Sequence, residues 1–230
     1  MAIELYELVG TEDRRFSPYC WRIRMALAHK GLEADIIPCR FTEKDKIAFS
    51  GGRTVPALRD GAAELTESWA IACYLEDTYA DRPSLFGGDI GRAEARFINH
   101  WVDSTLHGTM IRPVVLDIHD HLDPVDQAYF RETREKRLGA TLEEIQGQRD
   151  QVRPALNRSF RPLNALLKEQ DFVCGDAPAY GDYIVFGAFQ WVRSISPYAM
   201  VESDDPIHAW RERMLDLYDG LARSVTAYPS

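Results

Sequence analysis

Apolar and polar residues alternate from Ile3 to Val9, the period-two pattern of a half-buried strand. The pattern breaks over Thr11 to Phe16. Ser17 then stands where a helix N-cap belongs and Pro18 where a first helical residue belongs. The helix is expected to run through Trp21 to Lys30 and to stop at Gly31. Tyr19, Ile23, Ala26, Leu27 and Lys30 share one of its faces. A second block reads as a strand from Val55 to Arg59, a turn at Asp60-Gly61, a strand from Ala62 to Leu65 and a helix from Glu67 to Tyr79. The order is strand, helix, strand, short helix, strand, strand, helix.

Pro and Gly break the chain between Ala80 and Gly88. Beyond this point almost everything is helix-periodic. One helix is expected to start near Asp89, with Phe97, Trp101, Thr105 and Leu106 on one face. A charged and largely solvated segment runs from about Asp123 to Asp150. Phe160, Leu163, Leu166 and Leu167 mark a further helix. Tyr183 to Ile195 is nearly all apolar and reads as a buried central helix, and Pro206 to Leu221 as a final amphipathic one. The expected organisation is an α/β domain over 1–80, a linker over 81–89 and an all-helical domain over 90–230. Ala179-Tyr180-Gly181-Asp182 puts an acid at the start of the central helix but no hydroxyl at Ala179, a missing cap worth about 1 kcal/mol; Asp182 is left to cap in another register.

Composition narrows the field. The 230 residues carry a net charge of −9, which disfavours a nucleic-acid or anionic-membrane surface. No apolar run approaches the roughly 20 residues of a membrane span, and no secretory signal is visible, so a cytoplasmic location is expected. Cys20, Cys39, Cys73 and Cys174 are scattered, as suits reduced thiols rather than a disulfide framework. Asp117, His119, Asp120, His121 and Asp123 look metal-like, but His119 and His121 fall on different helix faces, and Asp117 with His121 supplies only two ligands; no metal is expected.

The chemistry centres on Ser17. A hydroxyl at a helix N-terminus sits where the dipole favours negative charge, a place to hold a thiolate; the alternative is that Ser17 only caps its helix. Lowering a thiol pKa by about 2 units takes ~2.7 kcal/mol. A hydrogen bond to the anion supplies ~1.5–3 kcal/mol and a helix N-terminus ~0.3–2 kcal/mol, so the two suffice without a general base. Three residues on, Cys20 occupies the second position of what would be a Cys-x-x-Cys pair, and Ser17 the first. A dithiol cycle is therefore impossible here, and Cys20 is expected to be a buried structural thiol.

In combination, Ser17-Pro18-Tyr19-Cys20-Trp21-Arg22, the pair Val55-Pro56, and Glu67-Ser68 opening a helix that continues to Tyr74-Leu75 resemble the glutathione transferase family. Within it the chain looks most like the bacterial etherase-like branch of lignin β-aryl-etherases and their fungal relatives. Ala28-His29-Lys30-Gly31, Asp81-Arg82-Pro83-Ser84-Leu85-Phe86, Leu116-Asp117-Ile118-His119-Asp120, Asp204-Asp205-Pro206 and Leu217-Tyr218-Asp219-Gly220-Leu221 carry that narrower likeness. The resemblance implies a thioredoxin-like N-terminal domain, an all-α C-terminal domain, glutathione as co-substrate and a homodimer. It implies Ser17 as the catalytic residue that stabilises the glutathione thiolate. It implies a cis bond at Val55-Pro56 that presents the Val55 peptide groups to the ligand, where an edge-strand proline is the alternative. It gives a glutathione carboxylate to Ser68 and the helix amides, and the ammonium to Glu67, where capping is again the alternative. Arg53 or Lys44 would meet the glycyl carboxylate. Phe16, Trp101 and Thr105 are candidates for the substrate pocket. The expected reaction is attack on a small apolar electrophile or displacement of an aryloxide from a β-aryl ether; the alternative is a ligandin-like carrier of hydrophobic ligands with little turnover.

Overall fold

A computed structural model describes residues 2–229. Strands β1 (Ile3–Leu8), β2 (Ala34–Cys39), β3 (Ala57–Asp60) and β4 (Ala63–Thr66) form one sheet in the order β2-β1-β3-β4. β1 and β2 run parallel, with Leu5 opposite Ile36; β3 and β4 add antiparallel, with Leu5 also opposite Leu58. Alternation along β1 buries Ile3 and Leu5 and carries Glu7 inward with them. That buried carboxylate is held by Arg15 at 3.0 Å and Arg24 at 3.2 Å, so the charge is paired.

Helix α1 (Pro18–His29) returns the chain from β1 to β2 and helix α2 (Ser68–Thr78) follows β4. Lys30 caps α1 and Gly31 takes φ +61°, so the helix stops where the sequence places glycine. Lys30 is fully buried, as its place on the apolar face requires. Its ammonium meets Glu76 at 2.9 Å and the carbonyls of Tyr79 and Pro83. The fold is thioredoxin-like through residue 78 and helical thereafter.

The helical part comprises α3 (Asp89–Trp101), a π-helical turn at Val102–Leu106, α4 (His107–Met110), α5 (Val115–Asp120), α6 (Pro124–Leu138), α7 (Leu142–Gly147), α8 (Arg149–Leu166), α9 (Tyr180–Ile195) and α10 (Pro206–Gly220). α9 is buried along almost its whole length. It packs on the start of α1 so closely that a Cβ at Gly187 would lie 2.3 Å from the carbonyl oxygen of Pro18. Ala179 offers no hydroxyl, but Asp182 fills the gap. Its buried carboxylate accepts N–H bonds from Ala179, Val173, Cys174 and the Trp210 indole at 2.6–3.2 Å.

One expected face is wrong. Phe97 is 74% exposed and Thr105 is exposed, while Ala95, Asn99, Val102, Leu106 and Met110 are buried. The buried stripe of α3 includes a polar residue: Asn99 accepts from Arg22 at 3.0 Å and donates to Asp103 at 2.8 Å. Hydrophobic periodicity cannot see such a position, and the five-residue turn at 102–106 then shifts the facing of the helical residues after it.

Candidate functional site

A cavity of ≈ 790 Å³ opens between the two parts of the chain. The thioredoxin-like part lines it with Phe16, Ser17, Tyr19, Lys44, Val55, Pro56, Glu67 and Ser68, among others. The helical part contributes Asp103, His107, Arg112, Phe130, Arg134, Arg137 and Trp191, with apolar neighbours.

Ser17 lies at the head of α1 and is 4% exposed. Its Oγ accepts a hydrogen bond from the Cys20 N–H at 3.2 Å. The hydroxyl is therefore an N-cap, as one of the two sequence readings has it. Capping uses a lone pair of the oxygen and does not consume the O–H proton, so the two readings are compatible. Cys20 is buried on the other side of the cap, and burial pushes its thiol up to about 12. No thiolate forms there near neutral pH.

The Val55-Pro56 bond is cis, and both residues lie in the cavity wall just before the sheet ladder begins at Ala57. Glu67 follows β4 with φ +70° and ψ 118°, a backbone conformation that a non-glycine residue adopts only when its surroundings enforce it. It opens α2 with no side-chain cap on the helix amides. Among the described residues no side chain caps the first N–H groups of α2 beside Ser68, at the end of the helix that favours an anion. The Tyr180 hydroxyl donates to the Ser68 carbonyl at 3.0 Å and ties this start to α9.

Other candidates stand elsewhere. Arg53 is exposed and outside the wall; Lys44 is in the wall, its ammonium 5.5 Å from the Tyr129 ring centre. Trp101 and Thr105 do not line the cavity, and Phe16 does. The shifted turn puts Asp103 and His107 there instead. Asp103 pairs with Arg22 at 2.7 Å, and His107 Nδ1 lies 3.3 Å from the Tyr19 hydroxyl. Burial, reinforced by Arg22, pushes His107 down to about 3, so its imidazole is neutral at physiological pH. Burial also pushes the Tyr19 phenol up, which keeps it protonated. The sequence reading missed Arg112, Arg134, Arg137 and Trp191 as well, which come from the turn after α4, from α6 and from α9 with no local motif. Among the described residues no three His, Cys, Asp or Glu side chains are placed to share a metal ion.

A family model for the glutathione S-transferase N-terminal domain matches residues 16–78, and one for the C-terminal domain matches residues 93–216. The chain belongs to the glutathione S-transferase family. Among solved structures it is similar to a glutathione S-transferase of Ceriporiopsis subvermispora in complex with glutathione. The two are 22% identical with a TM-score of 0.80, covering 98% of this chain and 99% of that one. It is also similar to glutathione transferase GSTFuA3 from Phanerochaete chrysosporium, at 26% identity and TM-score 0.77, over 96% of this chain and 92% of that one. Glutathione S-transferases Z1 and Z2 of Arabidopsis thaliana are 38% and 41% identical over 69 and 71 residues. These matches span 31% of each curated relative, about a third of its length.

Proposed function

We propose that this chain is a serine-type glutathione transferase. Glutathione lies along the thioredoxin-like wall of the cavity. The Val55 peptide groups pair with its backbone, the open start of α2 and Ser68 receive the γ-glutamyl carboxylate, Glu67 meets the ammonium, and Lys44 replaces Arg53 at the glycyl carboxylate. The sulfur then sits at Ser17, whose O–H donates to the thiolate. One observation carries this reading: the buried Ser17 hydroxyl lines the cavity at the head of α1, and the bond it accepts from the Cys20 amide uses only a lone pair of its oxygen. The thiolate attacks the electrophilic carbon, a C–S bond forms, and the leaving group departs with its electron pair. Displacing an aryloxide from a β-aryl ether is the same attack with another leaving group, as the etherase-like resemblance implies. A carrier without turnover has no use for a donor at the sulfur.

Homodimerisation and a cytoplasmic location belong to the same proposal. The exposed Ile90 and Phe97 on α3 supply an apolar face suited to a second copy; among the described residues no helix is long and apolar enough to cross a membrane. Calorimetry with glutathione, followed by the thiolate absorbance of the complex against pH, tests the reading. Binding is expected in the micromolar to millimolar range, with the bound thiol ionising at lower pH than the free one. A folded protein that binds no glutathione refutes it. A turnover panel of a chlorinated nitroaromatic, an isothiocyanate and a model aryl ether then separates the electrophile classes.

A further inference from the structure

The walls of the cavity carry five cationic side chains, Arg40, Lys44, Arg112, Arg134 and Arg137, and two acidic ones, Glu67 and Asp103. This stands against a net charge of −9 for the whole chain. The partners of each charge sort them. Arg40 is paired with Asp123 at 2.9 Å. Asp103 is occupied by Arg22 and Asn99. Lys44 and Glu67 belong to the glutathione wall. His107 is neutral and neither adds nor cancels charge.

Arg112, Arg134 and Arg137 remain, all from the helical part. Arg134 and Arg137 lie three apart on α6, one turn along the same face. The Arg134 guanidinium stands 4.8 Å from the Phe130 ring centre and 5.5 Å from that of Phe41. Among the described residues its one hydrogen bond donates to the Thr133 hydroxyl at 2.9 Å. Burial, and then the charge of Arg137, push its pKa down. Arg137 and Tyr19 line the same cavity from its two sides, Tyr19 two residues from Ser17. Neither Arg112 nor Arg137 has an acid partner among the described residues. Arg112 and Arg137 are exposed at the cavity mouth, and Arg134 is half-buried between them and the aromatic rings; a half-buried guanidinium beside a like charge, with no carboxylate at hand, is the one an anion in the cavity completes. Two anionic ends of glutathione are already met by Lys44 and by the start of α2. Ile111, Ile118, Leu138 and Trp191 give the same wall an apolar floor.

We propose that Arg112, Arg134 and Arg137 form an anion subsite for the second substrate, which is therefore an electrophile with an apolar body and a carboxylate or similar anionic group. This rests on the transferase reading and narrows it: the apolar electrophile expected from the sequence becomes an amphiphilic one. The reaction is unchanged. For a chlorinated nitrobenzoate, sulfur bonds to the ring carbon, the C–Cl bond breaks, and chloride leaves with the electron pair, while the carboxylate stays on the arginines.

The test uses full-length protein and two stable glutathione thioethers, S-benzylglutathione and S-(4-carboxybenzyl)glutathione, measured by calorimetry so that no turnover is needed. The carboxylated thioether is expected to bind about tenfold more tightly, as a hydrogen-bonded charge pair allows. The ratio of the two affinities is expected to fall toward one in R137Q and in R112Q, and to reverse in R137E. Because the readout is a ratio, a general loss of affinity in a variant leaves it interpretable. Equal affinities in the wild type, or tighter binding of the neutral thioether, overturn the anion subsite while leaving the transferase reading standing. Failure of glutathione and both thioethers to bind overturns the transferase reading and the subsite with it.

Discussion

The cavity wall contributed by residues 8–68 and the wall contributed by residues 103–191 are built on different principles. The first is made at chain features that are local in sequence: a helix start at Ser17, a proline after Val55, a strained residue and a second helix start at Glu67-Ser68. Backbone amides and the Ser17 and Ser68 hydroxyls, fixed by the same turns that form the fold, stand there beside the longer Lys44 and Glu67. The second wall is an assembly of long side chains from α4, α6, α9 and the turn between α3 and α4. Nothing local fixes it, so packing does. A wall made of backbone geometry suits an invariant co-substrate, and a wall made of side chains suits a partner that differs from one chain to another.

The comparison breaks most violently if the packed wall loses its anchor. Asp182 collects four N–H bonds at the start of α9, the helix that holds Trp191. Asp182→Ala leaves those donors buried without an acceptor. A loss of about 3 kcal/mol or more in stability is expected. Urea denaturation followed by tryptophan fluorescence reads it; a midpoint unchanged from wild type shows that the acid is not the keystone of the helical part.

Ser17 sharpens the other side. Ser17→Ala and Ser17→Gly both remove the donor, but alanine costs the helix cap about 1 kcal/mol and glycine only a few tenths. Turnover near neutral pH is expected to fall about 10–100-fold in both variants, with the bound thiol pKa raised by about 1–2 units. The sign comes from the donor's preference for the anion: without it the thiolate appears only at higher pH, so activity recovers partly as pH rises. Equal kinetic losses with unequal thermal stabilities separate the two jobs of one hydroxyl. A turnover that tracks stability instead reduces Ser17 to a cap.

Glu67 and Ser68 come next in size. Glu67→Gln or Ser68→Ala is expected to weaken glutathione binding about tenfold, since the first takes away the negative charge facing the ammonium and the second a hydroxyl bond to a carboxylate. The ratio of affinities for the two thioethers should stay put, because the anion subsite lies on the opposite wall. Calorimetry with all three ligands decides; a shifted ratio means that the two walls are coupled.

The same contrast explains which features were legible in the sequence. Ser17-Pro18, Val55-Pro56, Asp60-Gly61 and Glu67-Ser68 are turn and cap signals, and each falls within a residue or two of the feature it marks. Gly31 and Asp205-Pro206 mark helix ends just as directly. Asp205, next to Pro206, caps α10 by accepting from the Ile207 N–H at 2.8 Å. In the helical wall only periodicity was available, and it tracks large apolar residues. Phe97 is large and apolar, yet exposed; Asn99 is polar, yet buried against Arg22. The arginines of α6 read as a solvated charged stretch because pattern alone cannot tell a guanidinium facing water from one facing a cavity.

The smallest expected effect tests that correction. Periodicity placed Thr105 with Trp101 in the substrate pocket, whereas the five-residue turn at 102–106 leaves Thr105 exposed and brings His107, two residues later, to the wall. Thr105 accepts through its carbonyl from the Thr109 hydroxyl, a bond its own side chain does not make. Thr105→Ala is therefore expected to change kcat/KM by less than about twofold for any electrophile, the usual scale for a surface substitution away from a site. His107→Ala is the matched comparison. It deletes a neutral ring that meets Tyr19 and Trp191 edge-on at 5.3 and 5.7 Å, and so should raise KM for the electrophile while thermal unfolding of the two variants is followed in parallel. If Thr105→Ala proves the more damaging of the two in kinetics, at equal stability, then α3 continues in regular register through residue 105 in solution and the helical wall must be redrawn around Trp101.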